Sequence, residues 1–251
     1  MTATEDNLRE MPGMNNDAHR DDQEKNTPKV RIEIADHGPY LVYGDVPLLE
    51  GIITPKGHGY VWREGRRLPQ GEHYALCRCG RSKNAPFCDG THSKIGFTGM
   101  ETASTETYSE RAGILKGPKM DLLDDNRCAL ARFCHKEHGD VWTLTRNSDD
   151  PELMEEAIEG AMDCPAGRLV AEHKTGETLE YEYEPSIIVI QDPQKHVSGG
   201  IFVRGGIPLI SSRGQAYETR NRMTLCRCGH SRNMPFCDST HVSDGYSDGR
   251  E

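Results

Sequence analysis

A sixteen-residue cysteine motif occurs twice in the chain and constrains its fold more than any other feature. The copies read CRCGRSKNAPFCDGTH at residues 77–92 and CRCGHSRNMPFCDSTH at residues 226–241. Each copy places three cysteines and one histidine in the spacing C-x-C-x8-C-x3-H. Sulfur and nitrogen donors in this number suit tetrahedral zinc or an iron–sulfur cluster. The spacing alone leaves both open, although the tight C-x-C pair is less usual in zinc modules and favours a cluster.

The nine cysteines of the chain divide into three groups of three, which fits a disulfide framework badly. Only 35% of the 251 residues are hydrophobic, so small subdomains are expected to need metals for stability. Metal or cluster ligation is therefore the preferred interpretation. The groups are Cys77, Cys79 and Cys88; Cys128, Cys134 and Cys164; and Cys226, Cys228 and Cys237.

The sequence before each motif is also repeated. GPYLVYGDVPL at residues 38–48 aligns with GGIFVRGGIPL at residues 199–209. The first spacer is longer by twelve residues, and GHGYVWREGRRLPQG is expected to form a longer hairpin or loop there. Short β-branched and aromatic runs bounded by Gly and Pro predict strands, and the ligand segments predict loops that end in a helical turn. We therefore predict two homologous, β-rich halves.

The middle region has a different pattern. Asp149-Asp150-Pro151-Glu152 is typical of a helix start, and an apolar stripe at helical spacing follows it. The helix leads into Cys164-Pro165, after which GRLVAEH, a KTGE turn and TLEYEYE predict a hairpin. These signals indicate a small α+β unit between the two halves.

The repeated motif resembles the signature of the CDGSH iron–sulfur domains, the NEET family. The resemblance implies a [2Fe–2S] cluster in each copy, with the C-x-C cysteines on one iron and the third cysteine and histidine Nδ1 on the outer iron. Because these domains usually pair by exchanging cap strands, it also implies an intramolecular pseudo-dimer. The implied ligands are Cys77, Cys79, Cys88 and His92 in the first copy, and Cys226, Cys228, Cys237 and His241 in the second.

The second copy departs from the family pattern at one position, where Ser239 replaces the glycine found at Gly90. Serine is strained if the backbone needs a positive φ there. We expect a slightly altered geometry at the second centre without loss of a ligand. Asp89 and Asp238 are expected to brace the loops by accepting backbone N–H bonds.

The middle cysteines resemble those of divergent single-cluster ferredoxin domains. Cys128, Cys134 and Cys164 stand in the expected order, while Ala131 occupies the place of the second ligand. Three ligands imply a [3Fe–4S] cluster, or a [4Fe–4S] cluster whose labile iron is held by water or by a histidine such as His135. Three buried structural cysteines are the alternative.

The predicted fold is therefore α+β and β-rich, with two CDGSH domains as an intramolecular pseudo-dimer and an inserted ferredoxin-like α+β domain. The predicted boundaries are a disordered acidic tail at 1–30, the first CDGSH domain at 31–100, the ferredoxin-like domain at 112–184 and the second CDGSH domain at 185–251.

The rest of the sequence narrows the function. A net charge of −10 argues against nucleic-acid and anionic-membrane partners, and no apolar run reaches a membrane span. Without a signal-peptide pattern, a cytoplasmic monomer is expected. We find no phosphate-binding loop, nucleophile elbow or other enzyme motif.

We predict a non-enzymatic protein for one-electron transfer or redox sensing, with a redox partner protein. The alternatives are cluster storage and transfer to an apo-acceptor, and a zinc-stapled adaptor.

Several arginines and histidines lie near the cysteine motifs or elsewhere in the sequence. Arginines beside thiolate-rich clusters could offset their negative charge, or could equally be surface residues without a role. For four further histidines, solvation or local hydrogen bonding is favoured over ligation. The arginines are Arg78, Arg81, Arg227 and Arg232, and the histidines are His58, His73, His173 and His196.

Overall fold

The structure, a computed structural model, describes residues 28–249. The predicted acidic tail lies outside the described residues as far as residue 27. Strands account for 33% of the chain and helices for 15%, which confirms the β-rich α+β class. Among residues 28–249, no helix has both the length and the apolar character needed to cross a bilayer.

The first half contains five strands followed by a single helical turn. The long β3–β4 hairpin is the insertion that the longer spacer predicted, and its strands pair antiparallel around a turn at residues 57–58. The elements are β1 (Arg31–Ile34), β2 (Tyr40–Tyr43), β3 (Leu48–Lys56), β4 (Gly59–Arg67), β5 (His73–Leu76) and α1 (Thr91–Lys94).

The middle region forms an antiparallel sheet in the order β11-β10-β7-β6, with two helices packed on it. Its main helix begins as predicted, because the Asp150 carboxylate caps it by accepting the Glu152 N–H at 2.9 Å. The predicted hairpin is present as β10 and a short β11. The elements are α2 (Tyr108–Arg111), β6 (Gly113–Lys116), β7 (Met120–Asp124), β8 (His135–Lys136), β9 (Gly139–Asp140), α3 (Val141–Arg146), α4 (Pro151–Met162), β10 (Leu169–His173) and β11 (Thr178–Leu179).

The second half repeats the first without the extra hairpin. A short 3-10 helix, Pro193–Lys195, separates its first two strands. The elements are β12 (Ser186–Asp192), β13 (Val197–Arg204), β14 (Leu209–Ile210), β15 (Arg222–Leu225) and α5 (Thr240–Ser243).

The halves exchange one strand each. β3 leaves the first half and pairs in parallel with β12, while β14 leaves the second half and pairs in parallel with β1. The resulting sheets run β14-β1-β2-β5 and β15-β13-β12-β3-β4. Their apolar faces enclose one shared core that draws Ile32, Tyr40 and Leu76 from one half and Ile201, Leu209 and Leu225 from the other. This reciprocal exchange confirms the predicted intramolecular pseudo-dimer.

Candidate metal centres

Each cysteine motif forms a loop that folds back onto the strand before it. In the first loop the Cys77 N–H donates to Pro86 O at 2.7 Å, and the Cys88 N–H donates to Ala75 O at 2.9 Å. The second loop repeats these bonds from Cys226 to Pro235 O at 2.7 Å and from Cys237 to Thr224 O at 2.9 Å. The two loops therefore hold their cysteines in matching positions.

One aspartate braces each loop, as predicted. Asp89 accepts the N–H groups of Lys83 at 2.9 Å and Thr91 at 3.0 Å. These hydrogen bonds hold the pKa of the Asp89 carboxyl well below its usual range. In the second loop Asp238 accepts the N–H groups of Arg232 at 2.9 Å and Thr240 at 3.1 Å. The brace brings the start of each loop against the helical turn that carries the histidine.

The donor atoms of each loop form two pairs. The Sγ atoms of the C-x-C cysteines are 3.7 Å apart in both loops. The third cysteine Sγ is 3.3 Å from Nδ1 of His92 in the first loop, and 3.5 Å from Nδ1 of His241 in the second. A tetrahedral metal with ligands at about 2.3 Å (S) and about 2.0 Å (N) needs about 3.8 Å between two sulfurs and about 3.5 Å between sulfur and nitrogen. Each pair thus fits one metal ion.

A [2Fe–2S] cluster needs two protein ligands on each of its two irons. The two donor pairs of each loop are compatible with that arrangement.

Backbone amides point at the sulfurs of the loops. The Gly90 N–H lies 3.5 Å from Cys88 Sγ, and the Arg81 N–H donates to the Cys79 sulfur. The backbone N–H groups of His230 and Ser239 likewise donate to the sulfurs of Cys228 and Cys237, respectively. Such donors stabilise thiolates and the added charge of a reduced cluster.

The two loops meet back to back at two glycines with left-handed backbones. A Cβ on Gly80, at φ +71, would lie 2.1 Å from the carbonyl oxygen of Cys228. A Cβ on Gly229, at φ +85, would lie 2.6 Å from the carbonyl oxygen of Cys79. Only glycine allows this approach. The two candidate centres are therefore separated by little more than these backbone segments.

Two of the four arginines considered are buried beside the loops. Arg78 and Arg227 are each 1% exposed, and their Nε atoms donate to Gly38 O at 2.8 Å and Gly199 O at 3.0 Å. They anchor equivalent turns of the repeated segments to their loops. Arg81 and Arg232 lie on the surface.

The loops differ in the exposure of their outer ligands. Cys237 and His241 are each only 4% exposed, whereas Cys88 and His92 are half-buried. Burial, followed by the charge of Arg227, lowers the pKa of His241 to about 4, so its imidazole is neutral at neutral pH. Neutral imidazole is the form that binds metal.

Residues outside the repeats cover the second loop. Ala103 donates its backbone N–H to Met234 O at 2.9 Å, and the Arg127 guanidinium stacks over the Phe236 ring at 4.3 Å. The first loop carries neither contact at its equivalent positions among the described residues. The shielding of the second centre thus comes from the connector and the middle region.

The middle cysteines are near enough for their charges to interact. Burial, then the charges of Cys164 and Cys128, raises the pKa of the Cys134 thiol to about 12. A cationic metal would relieve this repulsion, which is the chemistry that an iron–sulfur site supplies. The sulfur of Cys164 also accepts N–H groups from the backbone of residues 166, 168 and 169. Three cysteine thiols are the type of donor that iron–sulfur clusters use.

Ala131, at the place of the second ligand, and two nearby histidines, His135 and His138, have surroundings of their own. Ala131 is buried with the aromatic side chain of Phe133 in a separate apolar cluster. His138 places its Nδ1 at 2.8 Å from a Glu156 carboxylate, and His135 is exposed on β8. A histidine as fourth ligand stays a prediction.

The four histidines judged unlikely to be ligands have local surroundings. The ring of His58 faces the Glu137 carboxylate at 3.8 Å, and that of His73 stacks edge-on against Tyr43. Nδ1 of His173 lies 3.3 Å from the Thr175 hydroxyl. His196 ends the 3-10 helix, with a left-handed backbone.

Arg222 joins the middle site to the second half, a role that the sequence analysis missed. Its side chain, under 2% exposed, donates to the carbonyl oxygens of residues 161, 162, 164 and 169, and pairs with Glu180. Arg222 also begins β15, the strand that leads directly into Cys226. The only signal in the sequence was a charged residue at the start of the otherwise uncharged strand RMTL.

Comparisons with known proteins agree with this geometry. Residues 37–93 and 198–242 match the family "Iron-binding zinc finger CDGSH type". Residues 115–174, which include the three middle cysteines, match "Divergent 4Fe-4S mono-cluster". The chain is similar to mouse (Mus musculus) "CDGSH iron-sulfur domain-containing protein 3, mitochondrial", with 45% identity over 42 residues. That match covers 16% of this chain and 31% of the mouse protein. No solved structure matches significantly.

Proposed function

From a chain that binds iron–sulfur clusters through two CDGSH-type regions and one divergent 4Fe-4S region, we propose a one-electron carrier. It uses two [2Fe–2S] clusters with three cysteines and one histidine each, and one ferredoxin-type cluster on the middle cysteines. The proposed role is electron transfer with a redox partner protein, without a catalysed reaction of its own. A role as a redox sensor would use the same centres.

The observation that supports this proposal is that hydrogen bonds and backbone contacts connect the three donor sets. The Arg222 guanidinium donates to Cys164 O at 2.7 Å, and two residues further along β15 Thr224 O accepts the Cys237 N–H. The second loop then touches the first through Gly80 and Gly229. Each centre is thus linked to the next by a few hydrogen bonds and backbone contacts.

The protein's own groups suit reversible reduction. A cluster supplies the one-electron couple, and a neutral histidine ligand raises its potential because it carries less negative charge than a thiolate. The backbone N–H groups around the sulfurs stabilise the additional charge without moving. The buried guanidinium group of Arg78 adds fixed positive charge nearby, whereas that of Arg227 is paired with the buried Asp248 carboxylate.

Anaerobic purification followed by iron and sulfide analysis, redox titration and electron paramagnetic resonance tests the proposal. We expect three reversible centres. His92→Cys should lower the potential of the first centre alone, and His241→Cys that of the second alone. A colourless protein with stoichiometric zinc, or clusters that are destroyed by one reduction cycle, would refute the carrier function.

Cluster storage and transfer is the second candidate, favoured by the half-buried Cys88–His92 pair. An exposed ligand pair allows an acceptor thiol to reach the outer iron. Mixing the holo-protein with an apo-ferredoxin separates the two functions. Transfer of cluster absorbance to the acceptor supports the donor function, whereas reversible reduction with no transfer supports the carrier.

A further inference from the structure

The surface around the first loop differs in charge from that around the second. Aligning residues 77–97 with 226–246 without gaps places Arg81 opposite His230, and Lys94 opposite Ser243. Apart from the buried Arg78 and Arg227, the first loop carries three cations against the single carboxylate of Asp89, and the second carries one cation against two carboxylates. The cations of the first loop are Arg81, Lys83 and Lys94.

The three cations are exposed, and no ion pair within residues 28–249 involves them. In the second loop, by contrast, the His230 ring is hydrogen-bonded to Asp244, and the Arg232 guanidinium lies 3.8 Å from Asp238. Asp89 offsets only part of this charge, because it is one carboxylate against three cations. The positive charge there faces solvent.

An apolar side chain lies within this basic surface. Ile95 follows the helical turn that carries His92 and is 50% exposed, whereas the equivalent position in the second loop is Asp244. Protein interfaces commonly combine an apolar centre with a polar, charged rim. The half-buried His92 lies three residues before Ile95, so this surface borders the exposed ligands of the first centre.

We propose that this basic surface, formed by Arg81, Lys83, Lys94 and Ile95, is the docking site for an acidic redox protein. The proposal rests on the carrier function above and specifies its partner and its point of entry. In a chain with a net charge of −10, a local basic surface orients an acidic partner that the rest of the molecule repels. The second centre is covered by Ala103 and Arg127, so it exchanges electrons with the first and middle centres rather than directly with the partner.

The transfer step balances with an acidic ferredoxin as the reductant. One electron leaves the reduced ferredoxin, which returns to its oxidised state, and the first centre is reduced by that electron. No bond or proton is exchanged. The step is downhill because the histidine ligand places the potential of the acceptor above that of a ferredoxin with four cysteine ligands.

Stopped-flow mixing with a reduced, acidic plant-type ferredoxin tests the docking site. We expect the double variant Lys83→Glu/Lys94→Glu to slow the second-order reduction about tenfold at low ionic strength and to remove its salt dependence. The matched control is Arg232→Glu, at the position equivalent to Lys83. Its side chain is 92% exposed, and its rate should stay within about twofold of the wild type. Unchanged visible absorbance verifies that both variants carry their clusters.

Three results would overturn the docking site. Equal slowing by the two variants, or no slowing by either, would place docking elsewhere. Wild-type sedimentation with phosphatidylserine vesicles that the double variant loses would assign the surface to a membrane. Failure of the ferredoxin to reduce a protein that dithionite reduces reversibly would reject the docking site but leave the carrier function intact. Destruction of the clusters by dithionite would instead reject the carrier function itself.

Discussion

The first and second cluster loops have the same donors and the same backbone path, yet they lie in different surroundings. Both pair their donor atoms at 3.3 to 3.7 Å, and both are braced by an aspartate. The outer ligands of the second loop are 4% exposed, whereas those of the first are half-buried. The repeated motif therefore determines how metal is held, and the unrepeated segments determine which centre meets solvent.

The middle region creates this difference because its Arg127 covers the second loop, although the region also packs against the β3–β4 hairpin of the first half through Phe133 and Trp62. Its contact with the second half is centred on Arg222, whose structural equivalent at the start of β5 is the exposed His73. A duplicated protein can thus acquire an inner and an outer centre without any change in its ligands.

Arg222→Met should destabilise the protein far more than His73→Met. Removing the guanidinium leaves the Glu180 carboxylate and several carbonyl oxygens without their partner. Breaking a buried, hydrogen-bonded charge pair costs about 3–5 kcal/mol, which corresponds to a fall of roughly 10 °C in the unfolding midpoint of a chain of this size. Thermal unfolding followed by circular dichroism measures this fall in the midpoint. His73→Met, the matched change on the exposed side, should shift the midpoint by about 1 °C or less.

Similar midpoints for these two variants would mean that the middle region docks without Arg222. Paramagnetic resonance adds a second measurement. Arg222→Met should disturb the middle and second centres and leave the signal of the first unchanged. A change confined to the resonance signal of the first centre would contradict the contact of Arg222 with the middle and second centres.

Gly80→Ala should damage both loops at once. The new methyl group would collide with the Cys228 backbone and force the loops apart, in addition to the strain of a left-handed backbone. Gly96 provides the control, since its φ is +62 and nothing lies within 4 Å of an added Cβ. We expect Gly96→Ala to cost about 1 kcal/mol and Gly80→Ala about 2 kcal/mol more. Denaturant unfolding measures the difference, and equal costs would show that the loops do not touch.

Much of this arrangement was predictable from the sequence because it depends on local patterns. Asp150 and Pro151 mark the start of α4, and strand-forming runs mark both halves. The C-x-C-x8-C-x3-H spacing predicted the candidate ligands. The resemblance to the NEET family predicted the strand exchange, since pairing of β3 with β12 joins residues that no local pattern connects.

The asymmetry of the centres was not predictable, because it depends on contacts between distant segments. The motif sequences differ little, and the cover over the second loop comes from Ala103 and Arg127, more than a hundred residues earlier. Arg222 was missed for the same reason. An arginine in a strand normally indicates a surface position, and only the carbonyl oxygens of residues 161–169 make burial favourable.

Iron should leave the first centre before the second. A water-soluble chelator must reach the outer iron, and access is open at Cys88 and His92 but blocked at Cys237 and His241. We expect these two centres to bleach in two phases, apart from any loss of the middle centre, with rates that differ about tenfold, equivalent to about 1.4 kcal/mol in barrier. Cys88→Ser should remove the fast phase and Cys237→Ser the slow one. A single phase would mean that the cover over the second loop opens faster than iron is extracted.

The smallest effect concerns the one position where the motifs depart from each other in backbone chemistry. Gly90 has φ +81 and Ser239 has φ +70, so both loops need a left-handed residue, and serine occupies it in the second. Gly90→Ser meets no steric obstacle, because open space surrounds an added Cβ, and should cost about 1 kcal/mol of backbone strain.

Ser239→Gly relieves that strain, but it loses the hydrogen bond from Ser239 Oγ to Asp238 O and makes the unfolded chain more flexible. These terms nearly cancel, so a stability change below about 0.5 kcal/mol is expected. Denaturant unfolding of the two variants compares the loops directly: a large gain from Ser239→Gly would mean that the serine strains the second centre, and no cost from Gly90→Ser would mean that the first loop is free to relax.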